Sequence, residues 1–209
     1  MKVAILSESP ADEAAIRILV DGILGKPTEP IALPPLRRRG WPSVLEVLPV
    51  VINHLHYHTD AEAFVVVVDS DNSTVHAPSH DQPDGADEEC RLCRLRGKVF
   101  QFQKRLTLAA GRAQIKTAIG LAVPAIEAWF RCGVDPQINE VALIRKLGAP
   151  IREVKNRLKF DVYGIERASL ELKTKRGIEE AQRLAQNINE LENLFPNGFG
   201  PLARDARSW

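Results

Sequence analysis

Two acids close a run of valines: Phe64-Val65-Val66-Val67-Val68 leads into Asp69-Ser70-Asp71. On extended backbone, residues i and i+2 point to one side, so Asp69 and Asp71 can aim two carboxylates at a single point able to hold a cation. The same pair can serve simply as turn formers or a helix cap. Glu8 directly follows the run Lys2 to Ser7, and Glu127 follows the run Ile115 to Val123 after a short spacer, so an acid succeeds an apolar run three times. Carboxylates gathered together repel, and four of them call for a counter-charge. All-oxygen donors favour Mg2+ or Mn2+. Two such ions roughly 4 Å apart can activate water and stabilise the leaving oxygen in phosphodiester cleavage, and one suffices for simpler hydrolysis.

A second donor set is of another kind. His76, His80, Cys90 and Cys93 are spaced H-x3-H-x9-C-x2-C. Two imidazoles and two thiolates suit the tetrahedral preference of Zn2+, and Cys-x2-Cys lets both sulfurs reach one ion. Such an ion would pin a polar loop that has little apolar surface of its own to bury. The alternative is a pair of solvated imidazoles and two half-buried thiols on one helix face. Beside these donors, Arg91, Arg94, Arg96, Lys98, Lys104, Arg105, Arg112 and Lys116 fall in a stretch with no acid. Next to a carboxylate cluster, this stretch reads as a wall contacting the phosphates of DNA or RNA; taken alone, it reads as a solvated helix face.

The elements that must position these groups are legible from the apolar pattern. Four consecutive valines describe a strand buried on both faces, as inside a parallel sheet. Ser9-Pro10-Ala11-Asp12 opens a helix, with Ser as cap and Pro in the first turn, and Ile16, Leu19, Val20, Ile23 and Leu24 follow at helical spacing. A Pro-rich segment with a short strand at Ile31 to Leu33 comes next, then the triplet Arg37-Arg38-Arg39, then a helix from about Pro42 through His56 that contains Pro49. Asn72 to Glu89 is polar and without apolar period, so it reads as an insertion. Pro124 opens a helix bearing Glu127. Helices are expected over Val141 to Leu147, Arg152 to Leu158, Thr174 to Leu194 and Leu202 to Trp209, with a turn over Phe195 to Gly200. Cys132 reads as a core thiol behind Trp129 and Phe130.

The expected architecture is therefore α/β: a mostly parallel sheet flanked by helices over 1–135, with an insertion at about 72–93, and a helical extension over 136–209 packed on it. With strands adjacent in one parallel sheet, Glu8, Asp69, Asp71 and Glu127 would converge at the carboxyl edge, where ligands of open α/β sheets collect. The 209 residues suffice for one well-filled domain, and a net charge of +1 gives no global attraction to nucleic acid. No run approaches the ~18 apolar residues of a membrane span, and no signal peptide is evident. Three cysteines argue against a disulfide framework. A cytoplasmic protein is expected, with no membrane partner; a partner protein or homodimer stays open.

The order strand-Glu8-helix, then hydrophobic strand-Asp69-x-Asp71, resembles a Toprim domain, the metal-binding α/β fold of primases, topoisomerases and OLD-family nucleases. The segment Ala122-Val123-Pro124-Ala125-Ile126-Glu127-Ala128-Trp129-Phe130 is similar to a block in small stand-alone Toprim-like proteins near the OLD nucleases, some suspected in phage defence. The resemblance covers residues 2 to 135. It implies that Glu8 is a metal-linked acid-base residue, that Asp69 and Asp71 are metal ligands, and that Glu127 adds a ligand or orients one. It further implies that Asp12 or Glu13 matches a second acid of the first helical turn. The family usually has Gly after the first Glu; Ser9 stands there in this chain. The implied activity is Mg2+- or Mn2+-dependent hydrolysis of nucleic-acid phosphodiesters. The alternatives are a Toprim-fold binding or regulatory protein without catalysis, and a haloacid-dehalogenase-like phosphatase using Asp69-Ser70-Asp71, which leaves Glu8 unexplained. The chain is too short for a topoisomerase or a full primase.

Overall fold

The computed structural model describes residues 1–34, 40–107, 113–146 and 150–209. The triplet Arg37-Arg38-Arg39, Arg112 and Leu147 lie outside the described residues. The elements run β1 Lys2–Leu6, α1 Pro10–Leu24, β2 Glu29–Ile31, α2 Trp41–His58, β3 Ala63–Asp69, α3 Arg91–Gln103, β4 Lys116–Ala122, α4 Ile126–Phe130, α5 Glu140–Ile144, α6 Ile151–Tyr163, α7 Leu170–Ala185, α8 Ile188–Leu194 and α9 Phe199–Arg207. A 3-10 turn at Pro78–Asp81 sits in the polar insertion between β3 and α3.

The four strands form one all-parallel sheet in the order β2-β1-β3-β4. This is an α/β fold with helices on both faces of the sheet. Strand alternation distributes the apolar runs between two cores. Val3, Ile5, Ala63, Val65, Val67, Ala118 and Ala122 pack on one side, with α1, α4, α7 and α9. Ala4, Leu6, Phe64, Val66, Val68, Ile119 and Leu121 pack on the other, with α2 and α3. The helices after residue 136 thus complete one face of the sheet: α7 lies along α1, and α9 lies on β4. Gly22 marks a close approach of α1 to α7, since a Cβ there would stand 3.0 Å from that of Ala185.

Several expected boundaries are corrected. The short strand is Glu29–Ile31 and not Ile31 to Leu33; as an edge strand it tolerates Pro30, whose missing N–H costs no ladder bond on the outer side. The single helix expected over Thr174 to Leu194 is two, broken at Gln186-Asn187, where Asn187 takes φ −141°. Both halves keep the apolar stripe, because Ala181, Leu184, Ile188 and Leu191 enter the same core. The last helix begins at Phe199, three residues before its expected start. No described helix is long and apolar enough to cross a membrane.

Candidate active site and metal centre

Parallel pairing carries β1, β3 and β4 to one edge together, and the acids that follow them meet there. The Asp69 N–H donates to Glu8 Oε1 at 3.1 Å, and Asp69 Oδ1 accepts the Ile126 N–H at 3.1 Å, at the start of the helix bearing Glu127. Asp12, in the first turn of α1, lines the same narrow cleft with Glu8, Asp69 and Ile126. Glu13 does not line that cleft; its Oε1 accepts the Ser7 N–H at 3.4 Å. Ser9 takes extended φ and ψ and its hydroxyl accepts the Ala11 N–H at 3.1 Å, so it caps α1 in a backbone conformation that does not require glycine.

Asp71 arrives by a route other than the expected one. The strand ends at Asp69, and Asp71 lies in a turn at φ 47°, a left-handed conformation that Asp tolerates better than most residues. The turn is held by Ser70 N–H to Ala122 O at 2.8 Å and Asp71 N–H to Pro124 O at 3.1 Å, both anchored on the β4 end. The two carboxylates nevertheless address one point, where the ammonium of Lys155 on α6 sits. It lies 2.8 Å from Asp69 Oδ2 and also pairs with Asp71 Oδ1. On the other flank, Arg91 Nη1 donates to Asp71 Oδ2 at 2.8 Å and to the Asp69 carbonyl at 2.6 Å, and stands 3.8 Å from Glu8 Oε1.

The electrostatics are those of a site short of positive charge. Burial, then the Asp69 carboxylate, push Glu8 up to about 7. Asp12 is driven well above its ordinary value by burial and then by Asp69 and Glu127. Burial raises Asp69 despite Lys155, and burial followed by the Asp69 charge raises Glu127. Asp71 goes the other way: burial works against its charge, but Lys155 and then Arg91 outweigh it and hold the carboxyl low. Lys155 itself is raised, burial notwithstanding, chiefly by Asp69. Tyr163, at the end of α6, stands beside Glu127 and Asp12, and burial followed by those neighbouring charges holds its hydroxyl protonated. Sequence reasoning missed both Lys155 and Tyr163. The only local signal was the helical pattern of 152 to 158, which marks packing and not chemistry.

The His/Cys set comes together as a second centre. One donor atom from each of His76, His80, Cys90 and Cys93 lies within 4.8 Å of every other, so this His2Cys2 cluster can hold a metal such as zinc. Cys93 Sγ is 3.6 Å from both His76 Nδ1 and His80 Nδ1, and Cys90 Sγ is 3.9 Å from His76 Nδ1. Tetrahedral bonds to zinc imply donor separations of about 3.4–3.8 Å. Each imidazole turns its other nitrogen toward a carboxylate: His76 Nε2 is 3.2 Å from Asp81 Oδ1 and His80 Nε2 is 3.8 Å from Asp87 Oδ2. The two carboxylates stand on the side where a metal-bound histidine carries its outer shell, close to but short of hydrogen-bonding geometry. Burial pushes the Cys90 thiol up to about 12 and the Cys132 thiol up to about 11. Cys132 lies in the core as expected.

Comparison of the chain with family models, with curated proteins and with solved structures finds no match. Function is therefore argued from the site alone.

The basic stretch does not form one wall. Arg91 faces the acids, Arg96 pairs with Asp81 at 2.7 Å and Asp205 at 3.4 Å, and Lys116 donates to the main-chain oxygen of Trp209 at 2.7 Å. Arg94 stacks on Trp41, while Lys98 and Arg105 lie over Phe102. Arg94, Lys104 and Arg105 face outward.

Proposed function

We propose that this chain is a Toprim-like nuclease that hydrolyses nucleic-acid phosphodiesters with Mg2+ or Mn2+ held by Glu8, Asp69, Asp71 and Glu127, with Asp12 as a further donor. The observation that carries this reading is the convergence of those acids at the carboxyl edge of three adjacent parallel strands, with too few cations to neutralise them. Their all-oxygen character fits a hard divalent ion, whose charge would offset the burial and the mutual repulsion that raise Glu8, Asp12 and Glu127. Such an ion supplies Lewis acidity toward a phosphoryl oxygen and activation of water.

The chain's own groups do the rest. Glu8, whose carboxyl is pushed up to about 7 before an ion binds, is the candidate general acid-base group. Lys155 and Arg91 lie on the two flanks of Asp71, placed to receive a phosphate as it enters. Arg94, Lys98, Lys104 and Arg105 extend the positive surface along and just beyond α3 for the rest of the polyanion. Zn2+ at His76, His80, Cys90 and Cys93 completes the proposal as a structural ion.

The test is cleavage of single- and double-stranded DNA and RNA with Mn2+ by the wild type, Asp69→Ala and Glu8→Ala. Loss of cleavage in both variants supports the reading, and activity indifferent to both overturns it. A second reading, a binding or regulatory protein without catalysis, is favoured by the Lys155 ammonium, which already occupies the point that Asp69 and Asp71 address. Calorimetry separates the two, because such a module binds Mn2+ weakly or not at all.

A further inference from the structure

The insertion between β3 and α3 leaves the acid site and returns to it. Asp71 precedes the loop and Arg91 follows it, and the two meet at 2.8 Å. Within residues 72–89, His76 is the one buried side chain. So long a polar loop has almost no apolar burial to oppose its conformational entropy. A single backbone bridge joins Thr74 to Cys90. Beyond the ion pair of Arg96 on α3 with Asp81 in the loop, the closure lies in the four donors, two from the loop and two from the start of α3.

Arg91 is covalently next to one of those donors. Cys90 caps α3 and Arg91 is its first residue. Successive helical residues diverge by about 100°, so the Cys90 sulfur faces the histidines while the Arg91 guanidinium faces the end of β3. That guanidinium touches the Asp69 carbonyl and the Asp71 carboxylate, and its carbon lies 4.9 Å from the centre of the Trp41 ring. One helical turn therefore carries both the metal donors and the cation of the acid site.

We infer that Zn2+ at His76, His80, Cys90 and Cys93 is the clamp that holds Arg91 in the acid site. This rests on the zinc reading above and not on the nuclease reading. By fixing the first turn of α3 against the loop, the ion sets the position from which Arg91 reaches Asp69 and Asp71. The zinc centre is a positioning device for the neighbouring site as well as a staple for the insertion.

The experiment measures the zinc content of the full chain, then follows the Arg91 Nε–Hε resonance, assigned with Arg91→Lys, and backbone amide exchange through chelation. The expected result is one zinc per chain. Chelation then erases the distinct Arg91 signal and cuts amide protection at Arg94 and Leu95, the first hydrogen-bonded amides of α3, by about tenfold, while β1 and β3 keep theirs. Co2+ restores both, with a thiolate-to-cobalt charge-transfer band. Cys93→Ser mimics chelation; should that variant fail to fold, the chelated wild type carries the test. A chain that neither contains nor takes up Zn2+ or Co2+ overturns the zinc reading and the clamp together. A zinc-loaded chain whose Arg91 signal and α3 protection survive chelation overturns the clamp alone. Loss of protection throughout, β3 included, also overturns it, since the ion then holds the whole fold.

Discussion

Lys155 Nζ lies 2.8 Å from Asp69 Oδ2, tying α6 to the end of β3 across 86 residues of chain. With Arg91 it is one of two cations that these strand-end carboxylates hold, and it is the one paired with the Asp69 carboxylate, so its removal leaves like charges facing one another in a largely buried cleft. Lys155→Met is expected to destabilise the metal-free protein by about 2–4 kcal/mol, the scale of a broken buried pair. It is also expected to tighten Mn2+ binding, because a competing positive charge is gone. Urea denaturation and Mn2+ calorimetry on the wild type and the variant check both; unchanged stability would mean the ion pairs contribute nothing.

Metal-free protein should lose stability as pH rises from about 5 to 8. Glu8, Asp12, Asp69, Glu127 and Glu140 all have folded-state pKa values above their ordinary ones, first through burial. The native state then binds more protons than the unfolded chain, and stability falls across the window between the unfolded and folded values, for Glu8 from about 4.3 to about 7. Asp71 has the opposite sign, but its contribution is lost only at lower pH. Thermal melts with chelator present should show Tm falling by several degrees over that range, each kcal/mol being worth about 2–4 °C at this length. Saturating Mn2+ should flatten the slope. A Tm that climbs steadily to pH 8 would contradict the burial of these acids.

Tyr163 stands beside Glu127, and its raised pKa makes it a poor nucleophile. Tyr163→Phe keeps the ring and removes only the hydroxyl, and is expected to cost about 0.5–1.5 kcal/mol, the scale of one polar interaction. Cleavage should persist in this variant under conditions where it folds. Abolished turnover with unaltered stability would assign Tyr163 a direct part in the chemistry.

Gly198 is expected to tolerate no side chain. Its carbonyl accepts the Leu121 N–H at 3.0 Å, joining the turn before α9 to β4, and a Cβ would stand 2.2 Å from the Leu121 carbonyl oxygen and 2.9 Å from Glu140 Oε1. The backbone atom cannot yield as a flexible side chain would. Gly198→Ala should therefore lose about 2–4 kcal/mol, at the upper end of single substitutions. Circular dichroism melts decide the point, and a loss under 0.5 kcal/mol, the ordinary surface value, would disprove the close approach.

Local chemistry sufficed for the sheet. The valine run, the Ser9-Pro10 helix start and the acids after each apolar run are short-range patterns, and parallel strands with alternating faces follow from them. The spacing of His76, His80, Cys90 and Cys93 was likewise visible, because a turn and one helical step already place such donors near one another. Asp71 comes to stand beside Asp69 by a different geometry, since a left-handed turn anchored on Ala122 and Pro124 aims its carboxylate, and not extended strand geometry.

What the sequence determined by itself was which residue types stand at the strand ends and how far apart the metal donors lie. Only the tertiary structure decided which charges answer them. Lys155 meets Asp69 and Asp71, Tyr163 meets Glu127, and Arg96 meets Asp205, each across a separation that no local pattern spans. A helix shows in sequence which of its faces is apolar, but which distant carboxylate its polar face reaches is fixed by how the helix packs on the sheet. That packing depends on the summed fit of two cores, and no single stretch of residues encodes it.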